Sequence, residues 1–240
     1  MAKTVIRRKP PQAKALRQAY RLMLAHFGHL HWWPGETPFE VCVGAILTQN
    51  TSWSNVERAI ANLRAARVLE PKPLFALSES KLAALIRPAG YFNVKARRLR
   101  SFLRVLVEEF GGDLDRLFAG DTAVVRERLL AINGVGPETA DSMLLYAGGH
   151  HRFVIDAYTK RIFQRHEWSG AEAGYEHLQR LCEGALDEKP RSKRLDYWQD
   201  FHAQLVMVGK YFCRTREPRC AECPLKPLLP RSTRLLPAAP

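Results

Sequence analysis

Apolar residues recur at helical spacing through most of the chain. Leu99, Phe102, Leu103, Leu106 and Phe110 fall on one stripe, with Arg98, Arg100, Arg104, Glu108 and Glu109 around them, as in an amphipathic helix. The same period marks candidate helices at 12–27, 38–46, 54–66, 79–86, 123–131, 137–147, 157–166, 173–186 and 195–211. Pro and Gly punctuate the intervals, at Pro71-Lys72-Pro73, Pro88-Ala89-Gly90 and Gly111-Gly112. No stretch alternates convincingly in the manner of a half-buried strand, and no repeat of fixed length recurs. The pattern predicts an all-α protein with an irregular, proline-bearing tail after Cys223.

At 240 residues there is room for one large domain or two small ones. A hydrophobic share of 46% with 25% charged residues supports a proper core and excludes a disordered chain. The longest apolar run, Val41 to Leu47, falls far short of the roughly 20 residues a membrane-spanning helix needs. No apolar secretory segment follows the basic N-terminus, so a soluble, cytoplasmic protein is expected. Charge changes the picture more. Lys and Arg number 37 against 24 Asp and Glu, a net +13, which draws a protein toward polyanions. Nucleic acid is the first candidate and an acidic membrane surface the second.

The stretch Leu130-Ala-Ile-Asn-Gly134-Val135-Gly136-Pro137-Glu138-Thr139-Ala140 joins two apolar helices. Its glycines permit a tight turn and close backbone approach, and Pro137 suits the first turn of the following helix. The Gly134 and Gly136 amides, with the positive end of that helix, form an anion cradle. This is a helix-hairpin-helix pattern suited to a DNA backbone phosphate; a plain helical corner is the alternative. Eighteen residues beyond Glu138, the apolar run Val154-Ile155 ends in Asp156 at the start of another helix. Asp is among the best helix N-caps, so capping alone would account for it.

Taken together, these features resemble the endonuclease III family of DNA glycosylases, which carry a helix-hairpin-helix, a Gly/Pro-rich loop and a catalytic Asp. The resemblance runs from about residue 15 to residue 225 and includes Leu47-Thr-Gln49-Asn50-Thr51 and Gly90-Tyr91-Phe92-Asn93-Val-Lys95-Ala. It implies two helical lobes around a DNA-binding cleft. One is a six-helix barrel over 28–150 with the hairpin at about 123–147; the other joins 1–27 to 151–240. It implies a monomeric enzyme that flips a damaged base from double-stranded DNA and cuts its N-glycosidic bond, with Asp156 stabilising charge at C1′. Gln49, Tyr91, Phe92 and Asn93 match residues that fill the gap left by the flipped nucleotide, and Asn50 is expected to contact DNA; Gln49 bonded to backbone is the alternative. Gly134, Val135, Gly136 and Thr139 match the phosphate grip.

Bifunctional members of the family carry a Schiff-base lysine where this chain has Glu138, so a monofunctional glycosylase is expected. Gly-Val-Gly-Pro-Glu138-Thr-Ala-Asp141 and His31-Trp32-Trp33-Pro34-Gly35 resemble the 3-methyladenine branch of the family. Trp32, Trp33, Pro34 and Lys210 would then line the base pocket, where an aromatic face attracts a cationic alkylated purine. Two readings stand beside this one: a glycosylase/lyase for oxidised pyrimidines or mismatched bases, and a DNA-binding module without catalysis. Cys213, Cys220 and Cys223 match the first three ligands of the family's [4Fe–4S] loop, but Leu229 stands where the fourth cysteine belongs. A three-thiolate cluster, zinc with one other ligand and no metal all stay open. Arg214, Arg216 and Arg219 in that loop would face DNA, and Cys42 and Cys182 read as core thiols.

Overall fold

The computed structural model describes residues 11–32 and 35–230, and every regular element among them is helical. The helices are α1 (Pro11–Phe27), α2 (Pro38–Leu47), α3 (Trp53–Ala65), α4 (Pro71–Ala76), α5 (Glu79–Leu85), α6 (Phe92–Arg104), α7 (Leu114–Phe118), α8 (Thr122–Leu130), α9 (Pro137–Tyr146), α10 (Ala157–Arg165), α11 (Tyr175–Ala185) and α12 (Arg191–Tyr211). Each helix expected from periodicity is present, most within two residues of its expected bounds. Two were missed, α4 and α7, because six and five residues hold too little period to read. Pro71-Lys72-Pro73 read as punctuation, yet Pro71 opens α4, where its missing N–H costs nothing. Among the described residues after Cys223, Lys226–Leu228 form a 3₁₀ turn. No helix among the described residues is long and apolar enough to cross a membrane.

The chain divides into two compact units, Trp33–Arg152 and Met1–Trp32 with Phe153–Pro240. In the first, the predicted stripe of α6 is the centre of the core. Leu99, Phe102, Leu103 and Leu106 are fully buried, with Ile46 and Leu47 of α2, Leu63 of α3 and Met143 and Leu144 of α9 around them. Phe110, beyond the end of α6, is only partly buried against this cluster. Asp141 is buried in the same unit, gripped by Arg126 through two oxygens at 2.7 and 3.2 Å. It is a structural ion pair that fixes α9 to α8.

The second unit packs α1 against α11 and α12, and α10 against α12. Leu16, Ala19 and Met23 of α1 are buried, as are Phe153, Leu178, Phe201, Leu205 and Val208. Gly209 sets how closely α12 approaches α10: an added Cβ would come within 2.6 Å of Tyr158 Cβ and Cγ. Arg161 reinforces the approach, donating to the Gly209 and Cys213 carbonyls at 3.1 and 2.7 Å. Gly209→Ala is therefore expected to lower the melting temperature despite the better helix propensity of Ala, because overpacking costs about 1–3 kcal/mol. Thermal unfolding of the variant checks this.

Candidate functional site

The hairpin between α8 and α9 has one left-handed residue, Gly134, at φ +89°. Gly136 is extended and caps α9, with Pro137 in the first turn. Neither glycine amide donates to a backbone carbonyl among the described residues, while Val135 N bonds to Ile132 O at 3.0 Å. The loop so exposes two donors at a helix N-terminus, as an anion site requires. Gln49, Arg98, Gly134, Val135, Gly136, Glu138 and Thr139 line one shallow depression of about 450 Å³. Gln49 Nε2 donates to Gly134 O and to Thr139 Oγ1, each at 3.0 Å, and Gln49 Oε1 accepts from Arg98. These bonds hold Gln49 onto the hairpin. Arg98 lies so close beneath Gly134 that no Cβ would fit there. Its methylenes meet Gly134, while its guanidinium donates to Gln49 on the wall of the same depression.

Asn50 and Tyr91 both have left-handed backbones, at φ 54° and 46°. That conformation is uncommon for Asn and an outlier for a bulky aromatic. Tyr91 is 72% exposed, the most exposed large apolar side chain described. Asn93 is also exposed, whereas Phe92 turns back against the core. Under this turn lies Lys95, 1% exposed, donating to Ala89 O at 2.7 Å. Burial, then the neighbouring Arg98 charge, pulls its pKa down to about 8. Lys95 and Arg98 lie on or beside the α6 stripe, and a lysine four residues before buried Leu99 was the available signal.

Phe153, Val154 and Ile155 are all buried and lead straight to Asp156. The Asp156 side chain is 13% exposed. Its Oδ1 accepts from Thr159 N at 2.7 Å, capping α10 and fixing the carboxylate. Its Oδ2 lies 3.8 Å from Nε2 of His202 on α12. Burial pushes the His202 pKa below the ordinary imidazole value, opposed by the Asp156 charge. The sequence reading missed His202, which fell within an apolar helical run. Trp32 lies near His202, with ring centroids 6.3 Å apart. Trp33 and Pro34 lie outside the described residues. Lys210 is exposed at the end of α12, its Nζ 5.2 Å from the Tyr211 ring.

The cysteines form a separate feature of the same unit. Cys213, Cys220 and Cys223 line one small cavity together with His166, Leu229 and Arg165. Arg165 donates to Cys213 Sγ at 3.4 Å and to the Arg214 and Thr215 carbonyls at 2.6 and 3.2 Å. No three Cys, His, Asp or Glu residues among those described could hold a single metal ion. An iron–sulfur cubane takes its ligands at separate corners, and thiolates are its usual donors. Three thiols lining one cavity are a donor set that suits such a cluster. Cys42 and Cys182 are fully buried, and burial raises both thiol pKa values.

Comparison with known proteins agrees with this layout. The family model described as "HhH-GPD superfamily base excision DNA repair protein" matches residues 43–188. A protein of Methanocaldococcus jannaschii assigned as a DNA repair glycosylase is 44% identical over 219 residues, 91% of this chain and 97% of the relative. Endonuclease III of Bacillus subtilis is 25% identical over 188 residues, 78% of each chain. Among solved structures, an H. pylori 3-methyladenine DNA glycosylase bound to 1,N6-ethenoadenine superposes with a TM-score of 0.72 at 29% identity, covering 83% of this chain and 97% of that one. A trapped endonuclease III–DNA covalent intermediate shares the fold, with a TM-score of 0.75 at 21% identity over 90% and 95% of the two chains. The chain belongs to the HhH-GPD superfamily of base excision DNA repair proteins and, within it, to the endonuclease III family of DNA glycosylases. The resemblance read from the sequence therefore holds.

Proposed function

We propose that this protein is a monofunctional DNA glycosylase that hydrolyses the N-glycosidic bond of alkylated purines such as 3-methyladenine in double-stranded DNA. The observation that carries the reading is Asp156, a carboxylate fixed by its own helix cap yet 13% exposed; the sequence resemblance implies that it is the family's catalytic Asp. As the base departs with the bonding electron pair, C1′ becomes electron-poor. A fixed negative charge beside it lowers that barrier without reorganising, and the carboxylate orients the water that adds to C1′ with loss of a proton. A cationic alkylated base leaves as a neutral molecule, so a strong general acid is not needed. Trp32, whose ring centroid lies 6.3 Å from that of His202, supports an aromatic face for such a base. The 29% identity to an enzyme named for 3-methyladenine supports the same substrate class.

The remaining residues take roles that suit their geometry. Gly134 and Gly136 amides with Arg98 grip a backbone phosphate, and Gln49 and Thr139 brace that loop. Tyr91, exposed on a left-handed backbone held from beneath by Lys95, is the wedge for the stack left by the extruded nucleotide; Asn50 and Asn93 supply polar contacts to the DNA. Cys213, Cys220 and Cys223 hold a [4Fe–4S] cluster with a structural role. When bound, it would order the loop carrying Arg214, Arg216 and Arg219. Binding to undamaged duplex should weaken steeply with salt, log K falling against log[salt] with a slope of about −0.9 per neutralised phosphate. Titrations at several salt concentrations test this; an affinity independent of salt would contradict the phosphate grip.

A further inference from the structure

The loop holds three thiols, and a cubane has four corners. Leu229, where the family's fourth cysteine belongs, offers no donor, yet it shares its cavity wall with His166. His166 closes α10 as its C-cap, one residue beyond Arg165, which bonds to Cys213 Sγ. Its Nδ1 lies 3.2 Å from Leu228 O. A carbonyl can only accept, so Nδ1 carries the proton and Nε2 carries the lone pair. Metal-ligating histidines are held in this way, the second ring nitrogen donating to a backbone carbonyl that fixes tautomer and orientation. The ring is further fixed by Trp168, with centroids 4.6 Å apart and planes 30° from parallel. The carbonyl comes from the residue directly before Leu229, so the segment carrying Leu229 orients the imidazole.

We infer that His166 is the fourth ligand, giving this chain a Cys₃His [4Fe–4S] site of Cys213, Cys220, Cys223 and His166 Nε2. This rests on the cluster reading given above. On assembly the three thiols each lose a proton, while the imidazole binds through its lone pair and keeps Nδ1–H on Leu228 O. No change of oxidation state is required of the protein.

The test uses the full chain purified without oxygen, with iron and acid-labile sulfide counted per chain and the cluster reduced for electron paramagnetic resonance. In wild-type protein carrying ¹⁵N-labelled histidine, electron–nuclear double resonance should detect one directly bound nitrogen. This measurement does not depend on any variant folding. His166→Gln should lose that coupling and drop from about four irons per chain to about three or fewer. His166→Cys should keep four irons without nitrogen coupling. A cluster with no nitrogen coupling, and full iron in His166→Gln, would overturn the His166 assignment while leaving the cluster in place. Zinc instead of iron, or no metal, would overturn the cluster reading and this inference with it.

Discussion

Asp156→Asn should fold normally and lose base excision by about a hundredfold or more, the scale on which a lost electrostatic stabiliser of the transition state is felt. Two roles of this side chain separate cleanly. Asn caps a helix about as well as Asp, so the bond to Thr159 N survives and α10 keeps its start. What disappears is the negative charge. Single-turnover excision beside a thermal melt distinguishes the outcomes. A fallen rate with an unchanged melting temperature is expected. Full activity would mean that Asp156 is only a cap.

The second large effect concerns strand cleavage. Glu138 lies in the first turn of α9, exposed on the wall of the hairpin depression, where an acidic side chain suits the helix N-terminus. A carboxylate cannot form an imine, so borohydride in the presence of damaged DNA should trap no covalent protein–DNA adduct. Glu138→Lys restores an amine at the position of the family's lyase lysine and should produce one. Strong trapping by the wild-type chain would show that another amine performs lyase chemistry and would remove the monofunctional reading.

Much of the fold was legible because period and burial agree. The stripe through Leu99, Phe102, Leu103 and Leu106 is the core of its unit, and Pro137 and Asp156 open the helices they were expected to open. The helices that escaped notice, α4 and α7, are too short to show a period. At the site, residues with a local signature were visible: glycines in a hairpin, a carboxylate closing an apolar run. Residues defined by long-range contact were not. His202 is 46 positions from Asp156 in the chain, and only the packing of α12 on α10 brings the two within 3.8 Å. Arg98 reads as one more charge on an amphipathic helix until it is found against Gly134. Gln49 had two readings from sequence, and its bonds to the hairpin depend on α2 packing against α9.

The most direct test of the central claim is release of free base. Duplex DNA carrying 3-methyladenine, incubated with excess wild-type protein, should yield free 3-methyladenine by chromatography. The strand should stay intact until alkali cleaves it at the abasic site. Asp156→Asn should bind the same duplex and release almost none. Tight binding by the wild-type chain with no base released from that duplex would contradict the account.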